Sequence, residues 1–514
     1  MLFAITSAHA LAETARDTLF LQELAPERLP WAYLGIAAGV LLSAQLLGRA
    51  IGAGSHLRAL QLLLGVGALG HLAFARIRAP APDEWLYALY VWCGVLTTQL
   101  LIQLWLALSS TLHVGQAKRA YAWISAGGLA GAASGAGVAA LLLLRWPVQG
   151  LLVAAAIALG LAALGSLFLP VRTDEPGTAN EAAPWREVLA DGYGARVLLV
   201  AALLAATTTG IDYVFKAAAV AALPAARLGD FFARFHAAVN AGALAVQLAV
   251  TPWLLQRVGV ARSLLVLPAS LAVGSGLFAA LGGLGPALGL KASEAVLQQS
   301  VHRAGNEILF LPVPEKLRVA LRSAAAALGQ RGGQALGSLA LLAALAAGAG
   351  PRHVTLGTAA LATAVFGVVL GLRARYVDRF RTGLRSLVAE TADAPELDLQ
   401  ALECLIGALS SADPDDVIAA LDLLESYGRA RLVPPLVLYH PEPRVLVRAL
   451  ELFRDSRDPA LPALVRRLGA HPDADVRAAA LRCRGDAFDA SALRTLLYGD
   501  PAQAARAAAV AELA

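Results

Sequence analysis

Hydrophobic and polar positions divide the chain into two regions. From about residue 2 to about residue 372, long apolar stretches alternate with short polar breaks. Several of these stretches reach the roughly 18–20 residues that a helix needs to cross a bilayer. After Arg373 the sequence becomes charged and amphipathic. The pattern predicts an all-α chain, with a polytopic membrane region followed by a soluble tail.

The apolar stretches predict about twelve membrane-spanning helices. Their predicted bounds are 2–22, 31–53, 57–75, 85–110, 121–144, 148–170, 196–220, 230–254, 263–283, 286–311, 319–348 and 353–373. The longest loop, 172–195, is rich in Pro, Gly, Asp and Glu, which indicates a polar linker. Six helices on either side of such a loop is the layout of the major facilitator fold. The expected domains are 1–171, the linker 172–195, 196–375 and the tail 376–514.

The tail contains a repeat of about thirty residues. Each repeat begins with an acidic residue or His followed by Pro, at Asp413-Pro414, His440-Pro441, His471-Pro472 and Asp500-Pro501. Pro with neighbouring acidic residues is typical of a helix start, and an amphipathic pattern follows each pair. Such units stack into an α-solenoid, and the pattern resembles HEAT repeats. We expect this tail to regulate the membrane region or to bind a cytoplasmic protein.

Composition and charge agree with a membrane protein. Of the 514 residues, 58% are hydrophobic and 15% are charged, whereas soluble domains are about 45–50% apolar and about 25% charged. Ser7 to Ala10 resembles a signal-peptide cleavage site, but the basic segment of a signal peptide is absent, which favours a first membrane helix. Lys and Arg are more than twice as frequent in one set of loops and the start of the tail, which predicts that both termini are cytoplasmic.

Motifs of enzymes and cofactor sites give little support for catalysis. Gly65 to Gly70 fits the dinucleotide pattern GxGxxG, but it lies inside a predicted span without a preceding strand, so helix packing is the favoured interpretation. Cys93, Cys404 and Cys483 show no pairing or metal-binding pattern. We therefore expect no enzyme activity, cofactor, metal or nucleic-acid partner, and transport driven by a gradient or by exchange.

Ionisable and polar side chains inside the spans are the candidate substrate-binding residues. A charge at the centre of a membrane helix costs at least about 2.5–3.5 kcal/mol, so it usually faces a cavity or a partner. The candidates are Arg16, Asp17, Asp212, Lys216, Lys291, Glu294, Gln298, His302, Arg303, Glu307 and Arg331. Ion pairing at a helix end remains the alternative for Arg16 and Asp17, and snorkelling to the interface remains the alternative for Lys216.

The polar residues of the tenth span and the balance of charge among the candidate residues indicate what kind of substrate binds. Lys291, Glu294, Gln298 and His302 follow the spacing of one helix face, which must line a water-filled path or contact polar partners. Cationic candidates outnumber anionic ones, which favours a small anionic substrate. Arg suits phosphate because its planar fork donates two hydrogen bonds at once.

Two runs of glycine occupy corresponding spans of the two predicted halves. They are Gly127, Gly131 and Gly135 in the fifth span, and Gly329, Gly333 and Gly337 in the eleventh. Glycines every four residues line one helix face and allow a neighbouring backbone to approach closely. We expect these residues to pack helices together, and their matching positions support a duplicated fold.

Two segments resemble the ATP/ADP translocase-like nucleotide transporters of plastids and intracellular bacteria. Arg16 to Leu21, followed by Leu29-Pro30, is similar to the family's first-helix segment, with Arg16 where the family has lysine. Asn306 to Arg318, followed by Arg322 and by Gly329 to Gly333, is similar to a second segment. The resemblance implies a facilitator-type fold, nucleotide exchange and, with this tail, a bacterial inner membrane.

The resemblance also assigns positions. It implies an acidic membrane position at Glu307 and basic positions at Arg318 and Arg322. Ala325-Ala326 replaces the family's Ile-Asp, which favours the alternative of a non-transporting membrane-anchored scaffold or a lipid-handling protein. The polar tenth span argues against that alternative, because an anchor needs no buried charges.

Overall fold

The structure is a computed structural model that describes residues 1–51, 56–76, 80–111, 114–168, 185–258, 260–310, 313, 315–390, 405, 408–409, 413–426, 428, 430–454, 456, 458 and 461–483. In these ranges the regular elements are helices. The chain divides into two compact units, residues 1–376 and 377–514. We call them the membrane unit and the tail unit.

Six helices form the first part of the membrane unit. They are α1 (Leu2–Glu23), α2 (Leu29–Ile51), α3 (His56–Phe74), α4 (Asp83–Thr111), α5 (Val114–Leu142) and α6 (Gln149–Ser166). Their interiors are rich in Leu, Ala and Val, which suit both lipid and neighbouring helices. Helix α1 lies centrally and packs against α4, α5 and α6. We call this part the first half.

The second half contains more and shorter helical segments. They are α7 (Trp185–Ala190), α8 (Gly192–Ala222), α9 (Leu228–Ala245), α10 (Thr251–Val258), α11 (Val260–Ser263), α12 (Val266–Leu281), α13 (Leu284–Leu297), α14 (Arg303–Leu309), α15 (Glu315–Ala324), α16 (Gly332–Ala346) and α17 (Pro351–Glu390). Gly282 and Gly283 join α12 to α13 with φ of 66° and 81°, which glycine adopts without strain.

In the described part of the second half, three π-helical turns interrupt the α-helices. They are Val246–Val250, Gln298–His302 and Ala325–Arg331. Each connects two α-helices into one continuous helical stretch. The described residues of the first six helices contain no such turn. Single π-helical turns are often found at functional sites.

Each predicted span coincides with a helix or with consecutive helical segments. Within the described residues, seven helices are long and apolar enough to cross a membrane by length and composition. Other helices at predicted spans do not meet these length and composition criteria. Val266–Leu281, for example, is shorter, and α1 contains the charged residues Glu13, Arg16 and Asp17. The total of twelve spans therefore stays a prediction. Within the predicted linker, residues 172–184 lie outside the described residues, and Trp185–Ala190 is helical rather than irregular.

The tail unit has its own hydrophobic core. Its described helices are α18 (Pro414–Ser426), α19 (Pro443–Leu452), α20 (Leu461–Leu468) and α21 (Ala474–Cys483). Helix α19 packs against α18 and α21, and α20 packs against α21. Arg448 on α19 donates to Asp422 at 2.5 Å and also to Glu425. Partial burial lowers the pKa of Arg448, but these hydrogen bonds raise it more, so its pKa lies above the ordinary value.

Candidate functional site

Lys216 of α8 lies at the centre of a buried network of charges. Its Nζ donates hydrogen bonds to Asp212 Oδ2 and to the Tyr90 hydroxyl, both at 2.7 Å, and lies 3.1 Å from Asp17 Oδ2. These three acceptors match the three N–H donors of an ammonium group. Lys216 is 3% exposed and Asp17 is 1% exposed. Because Asp17 belongs to α1 and Lys216 to α8, this buried ion pair joins the two halves.

On the side of the first half, the network continues along α1. The Arg16 guanidinium donates to Asp17 Oδ1 at 3.3 Å and to Glu13 Oε1 at 3.2 Å, and it lies over the ring of Tyr90. His9, one turn before Glu13, places Nε2 3.6 Å from Glu13 Oε2. Residues four apart share a helix face, so α1 presents one continuous polar stripe.

On the side of the second half, the network continues onto α13. Lys291 Nζ lies 3.1 Å from Asp212 Oδ1 and 2.9 Å from Glu294 Oε2. The Glu294 contact is an ion pair whose geometry is not that of a hydrogen bond. Tyr33 of α2 donates its hydroxyl to Asp212 Oδ2 at 2.7 Å. Asp212 therefore receives two ammonium groups and one hydroxyl, which satisfies both of its oxygens.

The network has more carboxylates than permanent cations. Among the described residues, four carboxylates and three cations belong to it, namely Glu13, Asp17, Asp212 and Glu294 against Arg16, Lys216 and Lys291. With neutral histidines the network thus has one net negative charge. Its three cations are fully paired, so an anion could bind them only by displacing a carboxylate.

Helices α1 and α8 end in the same local structure. Leu24 and Leu223 are extended, with φ, ψ of −117°, 142° and −123°, 143°, and a 3₁₀ turn follows each. The turns end at Arg28 and Arg227, directly before α2 and α9. Pro224 directly follows Leu223, whereas Pro26 follows Ala25, and in both cases the residue before the proline is extended and does not continue the helix.

Counting back along the chain from Leu24 and from Leu223 identifies equivalent positions in the two halves. Asp17 and Lys216 each lie seven residues before the extended leucine, and Glu13 and Asp212 each lie eleven residues before it. The residues that pair between the halves, Asp17 and Lys216, are therefore structural equivalents with opposite charge.

The glycine runs follow the same equivalence. A Cβ on Gly131 would contact Phe3 O, and one on Gly135 would lie 2.5 Å from Ser7 O, so α5 packs closely on α1. In the second half, a Cβ on Gly333 would contact Ala202 O, and one on Gly337 would lie 2.8 Å from Ala206 Cα. Phe3 and Ala202 are equivalent by the count from the breaks, as are Ser7 and Ala206. Gly329 also packs closely, 2.8 Å from Ala201 Cβ, whereas Gly127 faces open space.

Arg331 lies apart from the charge network and also joins the two halves. It ends the third π-helical turn and donates to Thr98 Oγ1 of α4 at 2.7 Å and to Gln334 Oε1 at 2.9 Å. Both acceptors are neutral. Within the described residues Arg331 has no carboxylate partner, and two hydrogen bonds use only part of its five N–H donors.

The remaining predicted residues do not join the network. Gln298 and His302 lie in the second π-helical turn, where His302 Nδ1 is buried without a hydrogen-bond partner among the described residues. Arg303 is exposed. Glu307 lies on α14, and its side chain, like that of Arg318, is outside the described residues.

Sequence reasoning missed Tyr33, Tyr90 and His9, and it left His236 outside the candidate residues. Tyrosines within apolar spans look like ordinary core residues, and no sequence spacing links them to Lys216. The similar segments Leu24 to Leu29 and Leu223 to Leu228 are a signal that could have located the equivalence of Asp17 and Lys216.

Among the side chains that the structure describes, one group meets the distance requirement for a shared cation. Glu13, Asp17 and His236 each offer an oxygen or nitrogen, and these atoms lie within 4.8 Å of one another. Asp17, however, has Arg16 on one oxygen and Lys216 on the other. A metal ion would have to displace one of these cations, so the arrangement does not fit a metal centre.

Comparison with known proteins identifies the fold. The crystal structure of the nucleoside transporter NupG matches with a TM-score of 0.54 and 13% identity, over 72% of this chain and 98% of that one. A bacterial homologue of iron transporter ferroportin, in its inward-facing state, matches with a TM-score of 0.52 and 13% identity, over 72% of this chain and 96% of that one. No protein-family model and no curated protein matches the chain.

At this identity the likeness shows the fold alone. The chain contains the major facilitator-type fold expected from its sequence, and its apolar helices make it a multi-pass integral membrane protein. The likeness does not single out the ATP/ADP translocase-like family, and these two comparisons do not test the HEAT-like assignment of the tail.

Proposed function

We propose that this chain is a secondary transporter or exchanger that moves a small anionic metabolite by alternating access, with nucleotides as the leading candidates. It would act in a bacterial inner membrane with both termini in the cytoplasm. The division of the membrane unit at residues 172–195 then separates two halves that rock about the network. The equivalent turns and glycine contacts of α1 and α8 support this division.

The observation that carries the proposal is the buried Asp17–Lys216 ion pair between the halves. Isolated charges in a membrane interior are unfavourable, so a simple anchor has no reason to contain seven in one network. In an alternating-access protein, by contrast, an ion pair between the halves stabilises one state and breaks in the other.

Arg331 supports an anionic substrate. In the described residues it is half-buried, contacts both halves and pairs only with neutral oxygens. A carboxylate or phosphate could use its free N–H donors without displacing a charged partner. The network then holds the halves together, while Arg331 provides the positive charge for the substrate.

Uptake by the purified protein in proteoliposomes tests this proposal. The probes are labelled ADP, ATP, adenosine and inorganic phosphate, each with and without the same compound inside. We expect uptake of an anionic probe to fall at least about tenfold in Arg331→Gln, because the lost charge-assisted bonds are worth about 1.5–3 kcal/mol. Arg234→Gln, which removes an exposed arginine that pairs with Asp230, is the matched control.

A thermal-stability series with the same probes provides a second readout. A ligand at a hundred times its Kd stabilises the folded state by about 2.7 kcal/mol. Stabilisation by ADP that persists unchanged in Arg331→Gln would remove Arg331 from the site. If no probe is taken up and no probe stabilises the protein, the result would favour the scaffold or lipid-handling alternative.

We also propose that the tail unit is a HEAT-like repeat domain that regulates transport or binds a cytoplasmic protein. Its support is a repeated helix start: His440 Nδ1 accepts from the Glu442 N–H and His471 Nδ1 accepts from the Asp473 N–H, both at 3.1 Å. Cross-linking from exposed positions of α19 and α21 in cells tests the partner. The absence of any cross-linked protein, with uptake unaffected by loss of the tail, would refute both roles.

A further inference from the structure

Glu13 and Asp212 occupy equivalent positions, but their surroundings differ. Asp212 contacts two ammonium groups, those of Lys216 and Lys291. Glu13 contacts one permanent cation, Arg16, and otherwise faces imidazole rings. Lysine and arginine keep their protons at physiological pH, whereas histidine changes charge there. Of the two equivalent acids, Glu13 is thus the one whose partners can gain or lose a proton.

Two histidines from different halves flank Glu13. His9 Nε2 lies 3.6 Å from Glu13 Oε2, and its Nδ1 forms a 3.0 Å hydrogen bond with Thr97 Oγ1. His236 of α9 offers a ring nitrogen within 4.8 Å of a carboxylate oxygen of both Glu13 and Asp17. His236 Nδ1 is buried and has no hydrogen-bond partner among the described residues. A buried ring nitrogen without a partner is a position where a proton can be added.

The net charge of the network also favours the binding of one proton. Three permanent cations face four carboxylates, so one added proton makes the network neutral. Helices α5 and α6 also pack on α1. Among their residues whose side chains the structure describes, none is ionisable. The charged and titratable groups around the two histidines are Glu13, Arg16 and Asp17 of α1, His71 of α3, Tyr90 and Cys93 of α4, and Asp212 and Lys216 of α8.

We propose that His9, Glu13 and His236 form a proton-binding site that couples proton movement to the conformational cycle, an inference that rests on the proposed transport function. A proton on His236 places a positive charge within 4.8 Å of Glu13 across the two halves and favours the state in which they meet here. Loss of the proton removes that attraction and favours separation. The proton is shared between the carboxylate and the two imidazoles, and no other reactant is required.

Spin labels on the two equivalent turns test the site without a substrate. Glu27 and Ala226 are exposed, so labels at Glu27→Cys and Ala226→Cys report the distance between the halves, with the native cysteines replaced by alanine. Between pH 5 and 9 we expect the ratio of closed to open molecules to rise on acidification, by up to about tenfold per pH unit, the limit for one proton. Glu13→Gln and His236→Gln should abolish the response.

Two further variants make this experiment decisive. His236→Arg supplies a permanent cation and is expected to hold the halves together at every pH. Asp230→Asn removes an exposed acid from the same helix and should keep the wild-type response. If Glu13→Gln unfolds, His9→Gln and His236→Gln give the same test. A wild-type distance that does not change with pH, or a full response in His236→Gln, would overturn the site.

Uptake into proteoliposomes separates this inference from the transport proposal. With ADP, ATP, adenosine and inorganic phosphate as probes, we expect an imposed pH gradient to change uptake at least about tenfold in the wild type and less than twofold in Glu13→Gln. Uptake that ignores the gradient in both overturns the proton site and leaves the transport proposal standing. No uptake of any probe, together with a distance change that depends on Glu13, overturns transport and leaves the proton site standing.

Discussion

Helices α1 and α8 end in the same turn but differ in charge at one equivalent position. Seven residues before the turn, α1 has Asp17 and α8 has Lys216, and these two side chains meet at 3.1 Å. Equivalent residues near the axis that relates two halves face each other. Two aspartates there would repel, and one lysine turns that repulsion into attraction. The opposite charges at this one equivalent position thus allow α1 and α8 to attract each other across the two halves.

Changes to the charges of Asp17 and Lys216 should have the largest effect on stability. Asp17→Asn or Lys216→Met alone should each lower the free energy of unfolding by up to about 3–5 kcal/mol, because each removes one of the two charged partners of a buried charge. Asp17→Lys combined with Lys216→Asp should recover part of the loss, since the positions are equivalent. Recovery stays incomplete because the new charges would lie beside Arg16 and Asp212.

Thermal unfolding of the four proteins in detergent measures this effect. The losses of the two single variants, relative to the wild type, set the scale against which the recovery in the charge-exchanged double variant is judged. A double variant less stable than either single one would show that the two positions are not interchangeable.

The glycine contacts provide an intermediate effect that should be equal in the two halves. Gly131→Val and Gly333→Val each push a side chain against the backbone of the packed helix, at Phe3 and Ala202. We expect each to destabilise the protein by about 1–3 kcal/mol, as overpacked cores do. Gly127→Val, where a side chain meets open space, is the control. A large loss in only one half, measured by thermal unfolding, would contradict equivalent packing.

The turns themselves should show the smallest difference. Arg28 forms an exposed ion pair with Asp83, whereas Arg227 has no ion pair within the described residues. Surface ion pairs contribute about 0.2–1 kcal/mol, so Arg28→Ala should lower stability by that amount and Arg227→Ala by less. A double-mutant cycle of Arg28 and Asp83 isolates the pair. A coupling energy above about 2 kcal/mol would mean that this pair is not an ordinary surface contact.

The sequence located the helices well and the site only in part. Apolar stretches of sufficient length gave helix bounds that the structure matches closely, because exclusion of charge from lipid is visible residue by residue. Arg16, Asp17, Asp212, Lys216, Lys291 and Glu294 were all candidates, because buried charges are conspicuous in apolar spans. Their pairing was not predictable, since Asp17 and Lys216 are far apart in sequence and meet only through helix packing.

The expected excess of positive charge among the candidate residues also shows that the sequence does not reveal which charges pair. Counted along the sequence, the candidates favour cations, but the structure groups four carboxylates with three cations and leaves Arg331 apart. Glu13 joins the network through Arg16, three residues further along α1, whereas its proximity to His236 depends on the packing of α9. Local composition counts charges, whereas the spatial arrangement decides which of them neutralise one another.

By itself the sequence determined that this protein is a helical membrane protein with a separate tail, because hydrophobicity and helix-start signals act over a few turns of chain. It also determined which helices must hide charge from lipid. Only the tertiary structure decided that Asp17 faces Lys216, that Glu13 lies between two histidines and that Arg331 faces neutral partners. Those contacts depend on the crossing and register of helices remote in sequence, which close packing at glycine and alanine fixes only in the folded chain.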